Sequence, residues 1–337
     1  MKITVLGAGT WGIALTALLA KNCHDVTVWS AIPTEIDELI LTKTHKNLPG
    51  LILPDRITYE KDICSALKDA ELVIYVTPSE YIRKTAALSA PYLNDGAVLV
   101  SAAKGIESGT LMTMTDVISD EIKKAVPSIK FNVAALSGPT HAEEVALGLP
   151  TSIVAACETE EISSMLARVF FNSCMRVYTN TDVLGVEIAG ALKNIIALAA
   201  GANRGMGFGD NANAMLITRG LAEMTRLGTA MGARLETFMG LAGMGDLIVT
   251  CTSHHSRNNR CGMLIGQGKS YDEALSEIGM VVEGYHALSA AVELADRYSV
   301  DMPITRAVYD VIHRGISPYV AIRALMTRDL KNEINFS

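Results

Sequence analysis

The first twenty residues, MKITVLGAGTWGIALTALLA (residues 1–20), decide how the chain is read. Residues 3–6 form a short apolar run of strand type, Gly7, Gly9 and Gly12 follow at GxGxxG spacing, and a helix-like apolar stretch continues to Lys21. Residues 26–29 read as a second strand, so the glycines fall at the strand-to-helix turn of a βαβ unit. In that context each glycine has a physical task. Gly7 permits the tight turn, Gly9 lets the backbone approach a pyrophosphate, and Gly12 lets helix and strand pack closely. The helix N-terminus then offers unpaired amides to an anion. The turn is expected to hold a dinucleotide.

Further strand-like runs follow at LVIYV (72–76), AVLVSAA (97–103), NVAAL (132–136), SIVAAC (152–157) and RVYT (176–179), with helical stretches between most of them. They are continuously apolar instead of alternating, as a sheet covered on both faces requires. After Asp182 the strands cease, and apolar residues recur at helical spacing to the end. The expected fold is α/β: an N-terminal Rossmann-type doubly wound sheet, residues 1–181, that binds the dinucleotide, followed by an all-helical C-terminal domain, residues 182–337, for substrate binding and catalysis. A length of 337 residues suits two cores. Thr181 and Asp182 are placed to cap the first long helix.

With 36 acidic and 29 basic side chains, the net charge of −7 creates no dominant field, which argues against nucleic acid or an anionic membrane as partner. Six cysteines lack CxxC or metal spacing, which fits free thiols in a reducing cytoplasm. The most apolar region, residues 183–202, contains Glu187, Lys193 and Asn194, so no integral membrane contact is expected. His254 and His255 are adjacent, their side chains point apart, and no metal is expected.

Ligands of open α/β sheets bind beyond the carboxyl ends of the strands. Pro78 follows one strand, Lys104 another, and LSGPTHAEE (136–144), with Gly138 and Thr140, a third. Lys104 precedes Gly105 in a turn that would hold its ammonium near the crevice; an ordinary surface lysine is the alternative. Lys193 and Asn194 sit among apolar neighbours on a helix, where a lysine is costly unless paired or lowered in pKa. Lys193 is thus a candidate acid or base, or else half of a structural ion pair. Glu187, Gly190 and Asn194 share a face, with space for a ligand beside Gly190. Asp246 follows two glycines and is free either to pair with Lys193 or to cap a helix. Ser256, Arg257, Asn258 and Arg260 concentrate donors that suit a phosphate, or a solvated basic loop. The second strand ends at Ser30, Ala31 and Ile32, neither the acid of an NAD site nor the arginine of an NADP site, so the choice stays open. Glu35 and Lys43 are assigned to the solvated surface.

Taken together, GAGTWG (7–12), LPGLILP (48–54), AAKGIE (102–107), LSGPTHAEE (136–144), GVEIAGALKNIIALAAG (185–201), GDNANAMLITRGLAEM (209–224), TFMGLAGMGDLIVTCTS (237–253), SRN (256–258) and VVEGY (281–285) resemble the bacterial-type NAD(P)-dependent glycerol-3-phosphate dehydrogenases. The resemblance spans nearly the whole chain. It implies interconversion of glycerol 3-phosphate and dihydroxyacetone phosphate, a phosphorylated three-carbon substrate, by hydride transfer with NAD(P), supplying glycerol 3-phosphate for phospholipid synthesis. It implies a homodimer. Lys193 falls on the family's catalytic lysine, which exchanges a proton with the C2 oxygen. Lys104, Gly138, Thr140, Asp246, Ser256, Arg257 and Asn258 fall on substrate-contacting positions, and Asn194 and Thr250 near the reacting centre. Thr10, Trp11, Lys104, Ala142, Arg257, Val281 and Glu283 fall on cofactor positions, beside the three glycines.

Three departures stand out. Thr10 and Thr140 occupy positions where serine is frequent, which keeps the hydroxyl. Ser30, Ala31 and Ile32 replace basic residues common after the second strand, and Asn47 replaces a tyrosine. A 6-phosphogluconate-like or ketopantoate-like dehydrogenase would share the glycine turn and a buried helical lysine. A non-catalytic nicotinamide sensor would need only the cofactor half, and Lys193, Asn194, Asp246 and Arg257 together speak against it.

Overall fold

The computed structural model describes residues 1–330, so the last seven residues of the expected second domain lie outside the described residues. Eight strands form one sheet: β1 (Lys2–Leu6), β2 (Asp25–Trp29), β3 (Thr58–Glu60), β4 (Leu72–Tyr75), β5 (Ala97–Ser101), β6 (Phe131–Ser137), β7 (Thr151–Ala156) and β8 (Met175–Asn180). Their order is β3-β2-β1-β4-β5-β6-β7-β8. The first six strands are mutually parallel; β7 pairs antiparallel with β6 and parallel with β8. The chain moves outward from β1 to β3 and then returns to lay β4 beside β1. That reversal opens a crevice at the carboxyl ends of the strands, the place where such sheets take ligands.

Successive side chains of the strands enter two separate apolar layers. Ile3, Val5, Val28, Ile74 and Val100 face one, and Leu6, Val73, Tyr75 and Leu99 face the other. Each such Leu or Ile contributes about 1.5–3 kcal/mol by leaving water. Two features escape the sequence pattern. β3 is the three-residue segment Thr-Tyr-Glu, too short and polar to show, and the reversed direction of β7 leaves no mark on its composition.

Past β8 the chain is helical. Asp182 caps the long central helix, Val183–Gly205, by accepting from the Gly185 amide at 3.0 Å. Its other oxygen accepts from the Arg234 amide at 2.9 Å and the Thr237 hydroxyl at 2.6 Å, which fastens the next helices to the same point. Around the central helix lie helices Asp210–Ala230, Asp246–Thr252, Arg257–Gly266 and Glu283–Arg297. Among the described residues it is the one helix long and apolar enough to cross a membrane, despite the three polar residues expected to disqualify it. Most of its residues are buried among the other helices, which accounts for its composition.

Candidate active site

The glycine turn lies between β1 and α1 (Thr10–Lys21). Gly7 has φ +131°, a conformation that favours glycine, and its amide donates to the Trp29 carbonyl at 2.8 Å. Gly9 precedes the helix, and no side chain caps the first-turn amides of α1. A Cβ added at Gly9 would meet nothing within 4 Å, so the ground above these amides is open. Open ground, free amides and a helix N-terminus fit the pyrophosphate of a dinucleotide. Thr10 and Trp11 are half-buried at the mouth of this turn. The Asn47 carboxamide, in the position where a tyrosine was expected, donates to Thr10 Oγ1 at 3.2 Å and closes the loop over the turn.

At the same end of the sheet a second centre forms from four chain segments. Asp246, 1% exposed, takes one ammonium on each carboxylate oxygen: Lys193 Nζ on Oδ1 and Lys104 Nζ on Oδ2, both at 2.6 Å. Lys193 also donates to Thr250 Oγ1 at 2.6 Å, and that hydroxyl donates to the Asp246 carbonyl. Lys104 reaches the Gly138 carbonyl at 3.2 Å, as does the Thr140 hydroxyl. Lys104 follows β5, Gly138 follows β6, Lys193 projects from the central helix, and Asp246 follows the short π-helical turn Leu241–Gly245. The capping role open to Asp246 is therefore not the one it takes: Gly245 holds the cap position, and the carboxylate serves the two lysines.

The face carrying Gly190 also differs from expectation. A Cβ there would lie 3.1 Å from Ser137 Oγ and 3.5 Å from Lys104 Cγ. The space beside the glycine holds the stem of Lys104 instead of a ligand. Glycine at 190 is what lets the two lysines meet at one carboxylate.

Two ammonium groups around one buried carboxylate leave an excess positive charge in a largely enclosed place. Lys193 is lowered to about 8: burial is the largest cause, Asp246 opposes it, and the charge of Lys104 adds to the lowering. Burial works against the charge of Asp246 as well, yet the attraction and hydrogen bonds of Lys104 and Lys193 outweigh it and hold the carboxyl below its ordinary value. An acid poised near neutral pH beside a fixed positive charge suits transfer of a proton to a developing alkoxide.

The remaining expected residues divide. Asn194 Oδ1 accepts from Asn258 Nδ2 at 2.9 Å, and Asn258 Oδ1 accepts from the Gly284 amide at 2.9 Å. The two carboxamides thus join the central helix to its neighbours. Ser256 is buried and caps helix Arg257–Gly266 through the Asn259 amide at 3.2 Å. Arg257, on the first turn of that helix, stays half-exposed, and Arg260 is exposed. Glu283 accepts from the Ser79 amide at 3.2 Å and the Ser79 hydroxyl at 2.5 Å, tying the loop after β4 to the helical domain. Ala142 is buried at the start of a one-turn helix, Ala142–Ala146, and Val281 is half-buried just before Glu283.

Two contributors were missed. Ser79 is flagged only by its neighbour Pro78 after a strand. His141, the residue after Thr140, has a buried Nε2 with no partner among the described residues, and burial followed by the Lys193 charge lowers its pKa. Its place next to a strand-end motif was the available signal.

Comparison with known proteins gives an independent line. The family models for NAD-dependent glycerol-3-phosphate dehydrogenase match the chain over residues 2–163 (N-terminus) and 182–323 (C-terminus). Glycerol-3-phosphate dehydrogenase (NAD(P)+) 2 of Lactobacillus delbrueckii subsp. bulgaricus is 53% identical over 333 residues, covering 99% of each chain. A protein of the same enzyme name from Agathobacter rectalis is 47% identical, covering 98% of this chain and 97% of its own. The crystal structure of glycerol-3-phosphate dehydrogenase from Coxiella burnetii superimposes with a TM-score of 0.92 at 34% identity, covering 97% of this chain and 99% of that one.

Proposed function

The chain belongs to the NAD-dependent glycerol-3-phosphate dehydrogenase family, and we propose that its buried Lys193–Asp246–Lys104 cluster carries the proton half of the reaction. The protein is an NAD(P)-dependent oxidoreductase that interconverts sn-glycerol 3-phosphate and dihydroxyacetone phosphate. The observation that carries the mechanism is the convergence of both lysines on one enclosed carboxylate at the ligand end of the sheet.

The cofactor is held by Gly7, Gly9, Thr10, Trp11 and Gly12 at the pyrophosphate end, with Lys104, Ala142, Arg257, Val281 and Glu283 towards the reacting end. When bound, it supplies or accepts the hydride at substrate C2. Lys193 Nζ gives a proton to the C2 oxygen during carbonyl reduction and takes it back during oxidation. Lys104 keeps a positive charge beside that oxygen, and Asp246 and Thr250 fix where both ammonium groups point. Arg257, the donor with free reach at the cleft, clamps the phosphate; Gly138 and Thr140 line the substrate, and Ser256, Asn258 and Asn194 hold the frame from which Arg257 extends. Binding energy at the phosphate thereby keeps C2 in position.

We further infer a homodimer working in the cytoplasm, without nucleic-acid or integral membrane contact, that supplies glycerol 3-phosphate for phospholipid synthesis. Six free cysteines and the family resemblance support this reading; sedimentation of the purified protein at the dimer mass tests the assembly.

The decisive assay follows the nicotinamide absorbance as purified protein meets dihydroxyacetone phosphate with NADH or NADPH. Turnover is expected. Its absence with both cofactors, alongside turnover of ketopantoate or a sugar acid, would transfer the fold to a different substrate.

A further inference from the structure

The residues after β2 carry no acid in the position where an NAD site has one, yet the folded chain brings one there. Ser30, 5% exposed, directly follows Trp29, whose carbonyl receives the Gly7 amide. It therefore sits level with the first glycine of the turn. Its hydroxyl is fully used: it donates to Glu35 Oε2 at 2.6 Å and accepts from the Ile32 amide at 3.1 Å. Glu35 lies in the first turn of α2 (Pro33–Thr42), and Ser30 draws its carboxylate back over the end of β2. Glu35 is thus half-buried and anchored, contrary to its assignment to the solvated surface.

The surroundings sharpen the point. Glu35 acts electrostatically on His45, and His45 in turn has a hydrogen-bonding contact with the backbone of Ala8 inside the glycine turn. Burial lowers the pKa of the His45 imidazole, so it offers no full positive charge to offset Glu35. Glu38 also faces it, and the exposed Lys46 is the cation beside it. Lys43, next in the loop, is engaged with the Tyr59 ring at 4.6 Å from its centroid. Of the Glu35 carboxylate, only Oε2 receives a hydrogen bond from a described residue.

We propose that Glu35, positioned by Ser30, is the cofactor-specificity residue of this chain: its carboxylate accepts the adenosine ribose hydroxyls and repels a 2′-phosphate, so the enzyme selects NAD(H) over NADP(H). This rests on the reading of the glycine turn as a dinucleotide site. A diol gives such a carboxylate two O–H donors, whereas a phosphate brings like charge and only acceptors. The local sequence hides the residue because the acid sits on the following helix, five positions beyond Ser30.

Both tryptophans of the chain, Trp11 and Trp29, flank the turn, so their fluorescence reports binding without any turnover. Purified protein titrated with NADH is expected to bind about tenfold or more tighter than with NADPH. Glu35→Gln should bring the two dissociation constants within about threefold, chiefly by tightening NADPH, and Ser30→Ala should narrow the gap partway by releasing the carboxylate. Glu38→Gln, an exposed acid on the same helix, should leave the ratio alone. Equal or tighter binding of NADPH by the unmodified protein, or a ratio that Glu35→Gln does not move, would overturn the assignment and point to Lys46. Failure of both dinucleotides to bind would overturn the dinucleotide reading itself, and the assignment with it.

Discussion

Two walls of the central helix each hold a buried carboxylate, and the two carboxylates end in opposite states. On the wall facing the sheet ends, Asp246 receives two ammonium groups and stays below its ordinary pKa. On the wall facing helix Met114–Ala125, Glu187 receives the Thr115 amide at 2.9 Å and the Thr115 hydroxyl at 2.5 Å, and burial pushes it up to about 7. Glu223 repeats the second pattern in another place: it takes the Ile304 and Thr305 amides, and burial pushes it up to about 7 as well. Depth is comparable in all three. The charge of the partner decides. Of these three, the carboxylate paired with ammonium groups keeps its charge, and the two held by neutral donors approach neutrality.

The largest test removes the charge that makes the first wall different. Lys193→Met should lower the rate of carbonyl reduction by about 10³-fold, within the usual range for loss of a positioned acid. Lys104 still pairs with Asp246 in that variant, so folding and dinucleotide binding should persist, measured by melting and by tryptophan fluorescence. Turnover within threefold of the unmodified protein would take Lys193 out of the proton step.

A smaller effect is expected from Asp246→Asn, which keeps the shape and removes the anion. The desolvation that lowers Lys193 then goes unopposed, so its pKa should fall further. In the unmodified protein the reduction rate should decline as pH rises through about 8, where Lys193 loses its proton, and the oxidation rate should climb over the same range. Asp246→Asn should move both limbs to lower pH and reduce turnover by about 10²-fold. Limbs that stay in place would mean that the carboxylate orients the ammonium groups without setting their charge.

The sequence carried much of the sheet domain because its signals are local. GAGTWG lies within six consecutive residues, and most strands are unbroken apolar runs whose pattern a doubly covered sheet requires. The strand-end lysine, the helical lysine and the aspartate were each visible singly. Their meeting was not. It depends on Gly190 making room for Lys104 and on a π-helical turn that aims Asp246 inward, and neither leaves a periodic trace. Glu35 and Glu187 were misread or left without a role for a related reason. Each is defined by a hydroxyl elsewhere, Ser30 in one case and Thr115 in the other, with the second pair 72 residues apart. A single sequence shows where a polar residue is out of place, and the fold alone shows what it is bonded to.

The smallest expected effect tests the second wall. An unfolded chain gives up the Glu187 proton near its ordinary value of 4.5, and the folded protein keeps it to about 7. Between those values the folded state binds more protons, so the contribution of this group to stability is full below 4.5 and is lost as pH rises through about 7. Glu187→Gln keeps an acceptor for the Thr115 amide and cannot ionise. It should therefore flatten the fall in melting temperature between pH 5 and 8, an effect worth about 3 kcal/mol at most. Glu223 titrates in the same range and supplies the residual slope, which Glu223→Gln should remove in turn. A slope that Glu187→Gln leaves untouched would mean that this carboxylate is already ionised at pH 5, held by its two threonine donors alone. Charge of the partner would then no longer separate the two walls.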